Sequence, residues 1–332
     1  MRIRKNYSIV ILLSVLALSL RLFDWISRFT FNAEYNYKLW PMQKILVEHK
    51  PTLIGIEAVS YLHHLHYPPF FLYFFAPILG IANFNPLSIE FFLILLSGVT
   101  TYIYFRMGSE VKNRMVGYLC GFLYAVSFFS QRADRFIWVV GPIFVLTASF
   151  LYMVARISKK NIYSKLDGLL MGVLVGLGLS FHYQYGAIFG AFLLLFLSKQ
   201  FRKGISFGYC ASFCGGVLFF FLPLIVFELR HNFYNLRGVG LLLNYSTERA
   251  SFLNRFVSIA VAISNNILGL FVSNANPTSP VFTSLWVVVP VSLLFILILF
   301  IFYQKNRHSL ICLFAVNTFI VGILMYALFR NN

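Results

Sequence analysis

Acidic residues are scarce in this chain. Ten of its 332 residues are Asp or Glu, against 27 Lys and Arg, and charged residues make up only 11%. A soluble domain carries roughly 25% charged residues, so the composition argues against a water-soluble fold. Four cysteines, Cys120, Cys210, Cys214 and Cys312, all fall within apolar stretches. Cys210 and Cys214 share a helix face, but no His or acid lies beside them at ligand spacing. They read as small apolar packing residues. A Walker loop, a dinucleotide fingerprint, a GxSxG elbow and an HExxH helix are all missing, so nucleotide chemistry has no visible support. No small-x-small cleavage site follows the first apolar run, which therefore reads as a retained helix with a basic flank. Internal repeats, low-complexity linkers and a soluble domain are likewise absent.

What is present is apolar sequence. Hydrophobic residues reach 59% and aromatics 19%, with a mean hydropathy of +0.78. A membrane helix needs about 20 mostly apolar residues, and lipid-crossing helices satisfy their own backbone polar groups. The hydropathy pattern predicts an all-α polytopic membrane protein of about nine spans. They lie near 8–23, 86–106, 116–130, 138–156, 167–181, 184–198, 205–227, 281–303 and 310–329. A long first external loop (24–85) and a second (228–280) separate them, and 1–332 reads as a single domain. Two apolar segments, 69–82 and 256–272, are taken as interfacial helices rather than spans.

The net charge of +17 does not point to nucleic acid, because the basic residues form short clusters between apolar runs. Arg2, Arg4 and Lys5; Arg106, Lys112 and Arg114; Arg156, Lys159, Lys160 and Lys165; Lys199, Arg202 and Lys203; and Lys305 and Arg307 all fall on one side of the proposed topology. That side should be cytoplasmic, with the N-terminus inside, the long loops outside and the C-terminus outside.

The polar residues of the outer side are the candidates for chemistry. Glu34, in FNAEYNYKLW, reads either as a solvated loop acid or as a catalytic carboxylate held above the membrane. Arg132, Asp134 and Arg135 open an apolar segment, either as an interfacial anchor or as an anion site, since guanidinium groups bind phosphate with fork geometry. His182 and Tyr183 end the fifth span, and Arg230 and His231 follow the seventh. His63, His64 and His66 have no acid at a ligand-like offset, so no metal site is expected. The topology brings Glu34, Arg132, Arg135, His182, Arg230 and His231 to one face.

From about residue 20 to 235, the order of these features resembles the membrane glycosyltransferases of the GT-C fold. The likeness is to the branch related to protein O-mannosyltransferases and the lipid A aminoarabinose transferase. LRLF (20–23) opens it, an acid in the first loop (Glu34) follows, and Leu53-Ile54-Gly55 matches the family's L-I-G turn. HYPPFFLYFFAP (66–77) resembles H-G-P-L-Y-Y-Y-L-x-A-P, and the stretch Asp134, Arg135 to Trp138 resembles S-R-x-x-W. LSFHY (179–183) and PLIVFELRHNFYN (223–235) match further motifs, the last being the most specific. The family's Asp-Gln and Arg-Asp in the first loop are replaced except at Glu34, and Val139-Val140 stand for its Asn-Pro. Relatives continue for further spans, so the resemblance reads this chain as C-terminally truncated.

The resemblance implies a GT-C-like bundle in the plasma or inner membrane. It implies a transferase moving a sugar from a polyprenyl-phosphate donor to an acceptor hydroxyl of a lipid, protein or glycan, with inversion. Glu34 is the expected base. Arg132, Arg135, Trp138, His66, His182, Tyr183, Arg230 and His231 are expected to bind donor phosphate or substrate. Asp134 is a second candidate carboxylate, orienting Glu34 or binding a divalent cation. The rival readings are a lipid-linked glycan ligase or polymerase, and a non-enzymatic transporter of lipid-linked sugar.

Overall fold

The computed structural model describes residues 2–29, 33–58, 65–135, 141–160 and 162–245, with isolated positions between 290 and 318. Among the described residues the regular structure is helical, and the extended feature is a single antiparallel bridge between Glu57 and His66. The helices are α1 (Arg2–Leu22), α2 (Ala33–Val47), α3 (Phe70–Ile81), α4 (Leu87–Val111), α5 (Arg114–Val126), α6 (Phe128–Ala133), α7 (Ile143–Ile157), α8 (Lys165–Phe181), α9 (Gly186–Leu194), α10 (Lys199–Lys203), α11 (Phe207–Arg230) and α12 (Tyr234–Tyr245). The expected spans at 281–303 and 310–329 and the interfacial segment at 256–272 lie outside the described residues apart from isolated positions.

Local chemistry sets the boundaries. Asn113 accepts from the Val116 N–H at 3.1 Å and starts α5 directly after α4. Ser164 and Asp167 form a reciprocal capping box at the start of α8, and Ser206 accepts from the Tyr209 N–H to start α11. These caps satisfy the orphan N–H groups of a first turn. The segment expected as one span at 116–130 is two helices. Ser127 leaves helical geometry (φ −60°, ψ 116°) and its hydroxyl accepts from the Ser130 N–H, so the chain stops at Val126 and restarts as α6.

Among the described residues, two helices, α4 (25 residues) and α11 (24 residues), are long and apolar enough to cross a membrane. Shorter apolar helices lie at Ser8–Leu22, Phe70–Ile81, Arg114–Val126, Ile143–Ile157 and Tyr183–Leu197. At 12 residues, α3 spans only about 18 Å and is too short for a hydrocarbon core of about 30 Å. Its buried face, Phe71, Leu72, Phe75, Ala76 and Leu79, packs into the core instead. Large apolar side chains point outward, among them Leu218, Phe219 and Leu222 of α11 and Leu119 and Phe122 of α5. A water-exposed protein seldom carries such a surface, whereas lipid tails suit it.

Helix α1 packs on α4 and α5, α4 on α5 and α7, and α8 on α7 and α11. The α8–α11 contact is very close. Gly168, Gly172 and Gly176 recur every four residues along one face of α8. A Cβ at Gly172 would lie 2.1 Å from the Phe213 carbonyl oxygen, and one at Gly168 2.3 Å from that of Tyr209. Small residues at this spacing let backbones meet in an apolar medium.

The bundle sorts its charge to two ends. At one, Lys159 pairs with Glu110 and Lys160 with Asp167. At the other, the end of α1, the start of α4 and the turn after α6 are joined by buried polar bonds.

Candidate functional site

The first polar cluster at that second end is built on Arg21, in the last turn of α1 and fully buried. Its Nε donates to Asp134 Oδ2 at 2.7 Å, and its Nη2 donates to Ser130 Oγ at 2.8 Å. Nη1 donates to the carbonyls of Ala17 and Ala125 at 3.1 Å each. Asp134 also accepts from the Tyr124 hydroxyl at 2.8 Å. A buried charge is tolerated only when paired and saturated with hydrogen bonds. Asp134→Ala would leave a desolvated guanidinium and is expected to cost about 3–5 kcal/mol. The loss should appear as a lowered thermal midpoint in detergent, and an Arg21→Met, Asp134→Leu double variant should recover most of it.

Glu90, in the first turn of α4, is also buried. It accepts from Trp25 Nε1 and from the Tyr35 hydroxyl, each at 2.9 Å. Tyr35 follows Glu34 in the first turn of α2, so Glu90 fixes the backbone that carries Glu34 to this end. The Glu34 side chain and Trp138 lie outside the described residues. Arg135 is half-buried and donates to the carbonyls of Leu20 and of Phe23, the latter at 3.3 Å. Arg132, at the end of α6, is exposed.

The second cluster joins three segments that are far apart in the chain. The His66 backbone is held from two sides. Its N–H donates to Asn235 Oδ1 at 2.7 Å, and its carbonyl accepts from Asn235 Nδ2 at 2.9 Å and from the Tyr183 hydroxyl. The Tyr67 ring lies 4.7 Å from that of Tyr183 and 5.7 Å from that of His182, centroid to centroid. Glu228 is buried near the end of α11. It accepts from the backbone N–H groups of Asn235 (2.9 Å) and Leu236 (3.1 Å) in the first turn of α12. Its carboxylate is thus committed to a helix start, where negative charge is favoured. Arg230 and His231 are exposed, and the His231 ring stacks on Phe227 at 4.1 Å.

Burial pushes the His182 imidazole down to about 4, so it is neutral near pH 7. Its Nδ1 accepts from the Gln184 N–H at 3.1 Å, which leaves the proton on Nε2. His182 therefore offers a hydrogen-bond donor and not a permanent cation. An unfolded His titrates near 6.5. The unfolded state then binds more protons than the folded one between about pH 6.5 and 4. Stability attached to neutral His182 is complete above this window and lost as pH falls through it. Over that range the thermal midpoint of the wild type should drop more steeply than that of His182→Gln.

Burial also raises the Tyr67 hydroxyl to about 12, keeping it protonated. Beside His66 opens a cleft of about 590 Å³, lined by Tyr37, Trp40, Lys44, Thr52, Ile56 and Phe227 among others. Lys44 Nζ lies 3.8 Å over the Trp40 ring.

Among the described residues, no group of three or more His, Cys, Asp or Glu side chains is placed to hold a metal ion. Asp134 is occupied by Arg21 and Tyr124, which does not fit a cation-binding carboxylate. The sequence does not single out Trp25 or Glu90, and it places Arg21 and Asn235 only inside the LRLF and FELRHNFYN motifs. The available signal was a charge set inside apolar sequence, at LSLRLF and PLSIEFF, which is costly without a partner.

Residues 66–227 match the dolichyl-phosphate-mannose-protein mannosyltransferase family, a stretch just under half the chain. No curated protein matches the chain. The match begins at His66 and ends at Phe227, next to Glu228. It therefore covers the 66–67 and 182–183 segments of the second cluster and stops just short of 228–235. Together with the apolar helices, it supports a membrane transferase of the GT-C type.

Proposed function

We propose that the chain is a GT-C glycosyltransferase. It would take a sugar from a polyprenyl-phosphate donor and pass it to an acceptor hydroxyl at the extracytoplasmic face of the cell membrane. The observation that carries this reading is the meeting of 66–67, 182–183 and 228–235, the motif segments of the resemblance. The donor's lipid tail would lie against the apolar outer surface of the bundle. The acceptor oxygen attacks the anomeric carbon, the bond from that carbon to the phosphate oxygen breaks, and the acceptor proton goes to Glu34. One displacement inverts the centre. The departing phosphate is an anion, and Arg135, Arg132 and Arg230 are the cations proposed to stabilise it as charge develops. Neutral His182 would donate from Nε2 to a sugar or phosphate oxygen. Asp134, through Arg21, would fix the turn that presents Arg135.

The direct test supplies purified protein with a polyprenyl-phosphate-linked mannose and measures release of polyprenyl phosphate. Release that depends on an added hydroxyl acceptor supports the reading. Movement of intact donor between leaflets without release would identify a transporter instead.

A further inference from the structure

At the end of the bundle away from the candidate site, one cation is held in an unusual way. Arg106, in the penultimate turn of α4, donates from Nη1 to the Tyr102 hydroxyl at 2.8 Å and from Nη2 to the Tyr152 hydroxyl of α7 at 3.0 Å. Its guanidinium carbon lies 5.8 and 5.5 Å from the two ring centroids. One turn along α7, the guanidinium of Arg156 lies 5.7 Å from the same Tyr152 ring. The nearest acid along α4, Glu110, pairs with Lys159 at 2.9 Å. The hydrogen bonds described for Arg106 therefore go to neutral groups, while Glu110, one turn on and close enough to act on its charge, is hydrogen-bonded to Lys159 instead.

The hydroxyls matter as much as the charge. A tyrosine that accepts from a guanidinium keeps its own proton for another acceptor. Tyr102 and Tyr152 thus present two O–H donors beside two guanidinium groups, on side chains that are only partly buried. Phosphate oxygens fit this set: several acceptors on one anion, at the depth where a helix leaves an apolar medium. Basic pockets between membrane helices commonly take anionic headgroups.

We propose that Tyr102, Arg106, Tyr152 and Arg156 form a binding site for the phosphodiester of an anionic glycerophospholipid, separate from the transferase site. The site holds α4 to α7 through a lipid headgroup and does not depend on which reaction the opposite end performs.

The test is native mass spectrometry of delipidated protein in detergent, with equimolar phosphatidylglycerol and phosphatidylcholine of matched acyl chains. The wild type is expected to retain phosphatidylglycerol over phosphatidylcholine by about tenfold. Arg106→Gln with Arg156→Gln should abolish the preference. Tyr102→Phe with Tyr152→Phe, which keeps every charge, should reduce it about threefold or more. Lys199→Gln with Arg202→Gln, which removes the same charge from the same end, should leave it intact. An unchanged preference in the double Phe variant overturns the proposal and decides the matter even if the Arg variants fail to fold. An equal loss in the Lys199, Arg202 control assigns the effect to diffuse charge and also overturns it. Stabilisation by millimolar inorganic phosphate equal to that by phosphatidylglycerol would make the site one for a soluble anion, contrary to the proposal.

Discussion

Glu34→Gln is expected to lower release of polyprenyl phosphate by about 10²- to 10⁴-fold, the usual worth of a positioned general base. Gln keeps the shape of Glu but cannot take the acceptor's proton. The fold should hardly notice the change, because the first turn of α2 is anchored by its neighbour. Tyr35 is buried and bonds to Glu90, and that contact remains. The informative comparison is Glu90→Gln. Both carboxylate oxygens of Glu90 accept hydrogen bonds, from Tyr35 and Trp25, so its loss should lower the thermal midpoint as well as turnover. Full turnover in Glu34→Gln would move the base elsewhere. Loss of turnover with donor binding retained would support the assignment and exclude a simple carrier.

The second large effect lies far from the chemistry. Gly172→Ala is expected to destabilise the protein by about 3 kcal/mol or more, at the upper end of overpacking costs. The added methyl would sit 2.1 Å from the Phe213 carbonyl oxygen and 2.9 Å from its carbon. Both are backbone atoms, so no side chain can swing away, and α8 and α11 must separate along their length. Gly215 is the matched control. It sits within α11, and a methyl added there would meet nothing within 4 Å. Ala is also the better helix former by about 1 kcal/mol. Gly215→Ala should be neutral or mildly stabilising. The two variants can be compared by thermal unfolding in detergent.

Much of the helical framework was legible in the sequence. Apolar runs marked α1, α4, α7, α8 and α11, because a helix in lipid must be apolar along its length. The break at Ser127 was hidden inside such a run, since a serine at that point is unremarkable until its hydroxyl is seen capping the next turn. The candidate site was legible in outline through His66, His182 and the FELRHNFYN segment. Their connections were not. Asn235 lies 169 residues from His66 and Arg21 lies 113 from Asp134. Local pattern carries no trace of a partner at that distance. In the sequence Glu228 is one more acid beside Arg230 and His231, and only the fold reveals that α12 begins on its two oxygens.

The seam between α8 and α11 bears on how a bulky lipid-linked sugar could enter. Backbones this close behave as one beam, and the beam carries His182 at the tip of one rod and Glu228 at the tip of the other. Separating those tips would require sliding glycine against carbonyl along several turns. Opening is therefore expected to hinge on the α1–α4 contact, where the Leu18 side chain rather than bare backbone fills the space at Gly98. Spin labels spanning the two halves should report a distance that changes on donor binding, while a pair across the seam stays fixed.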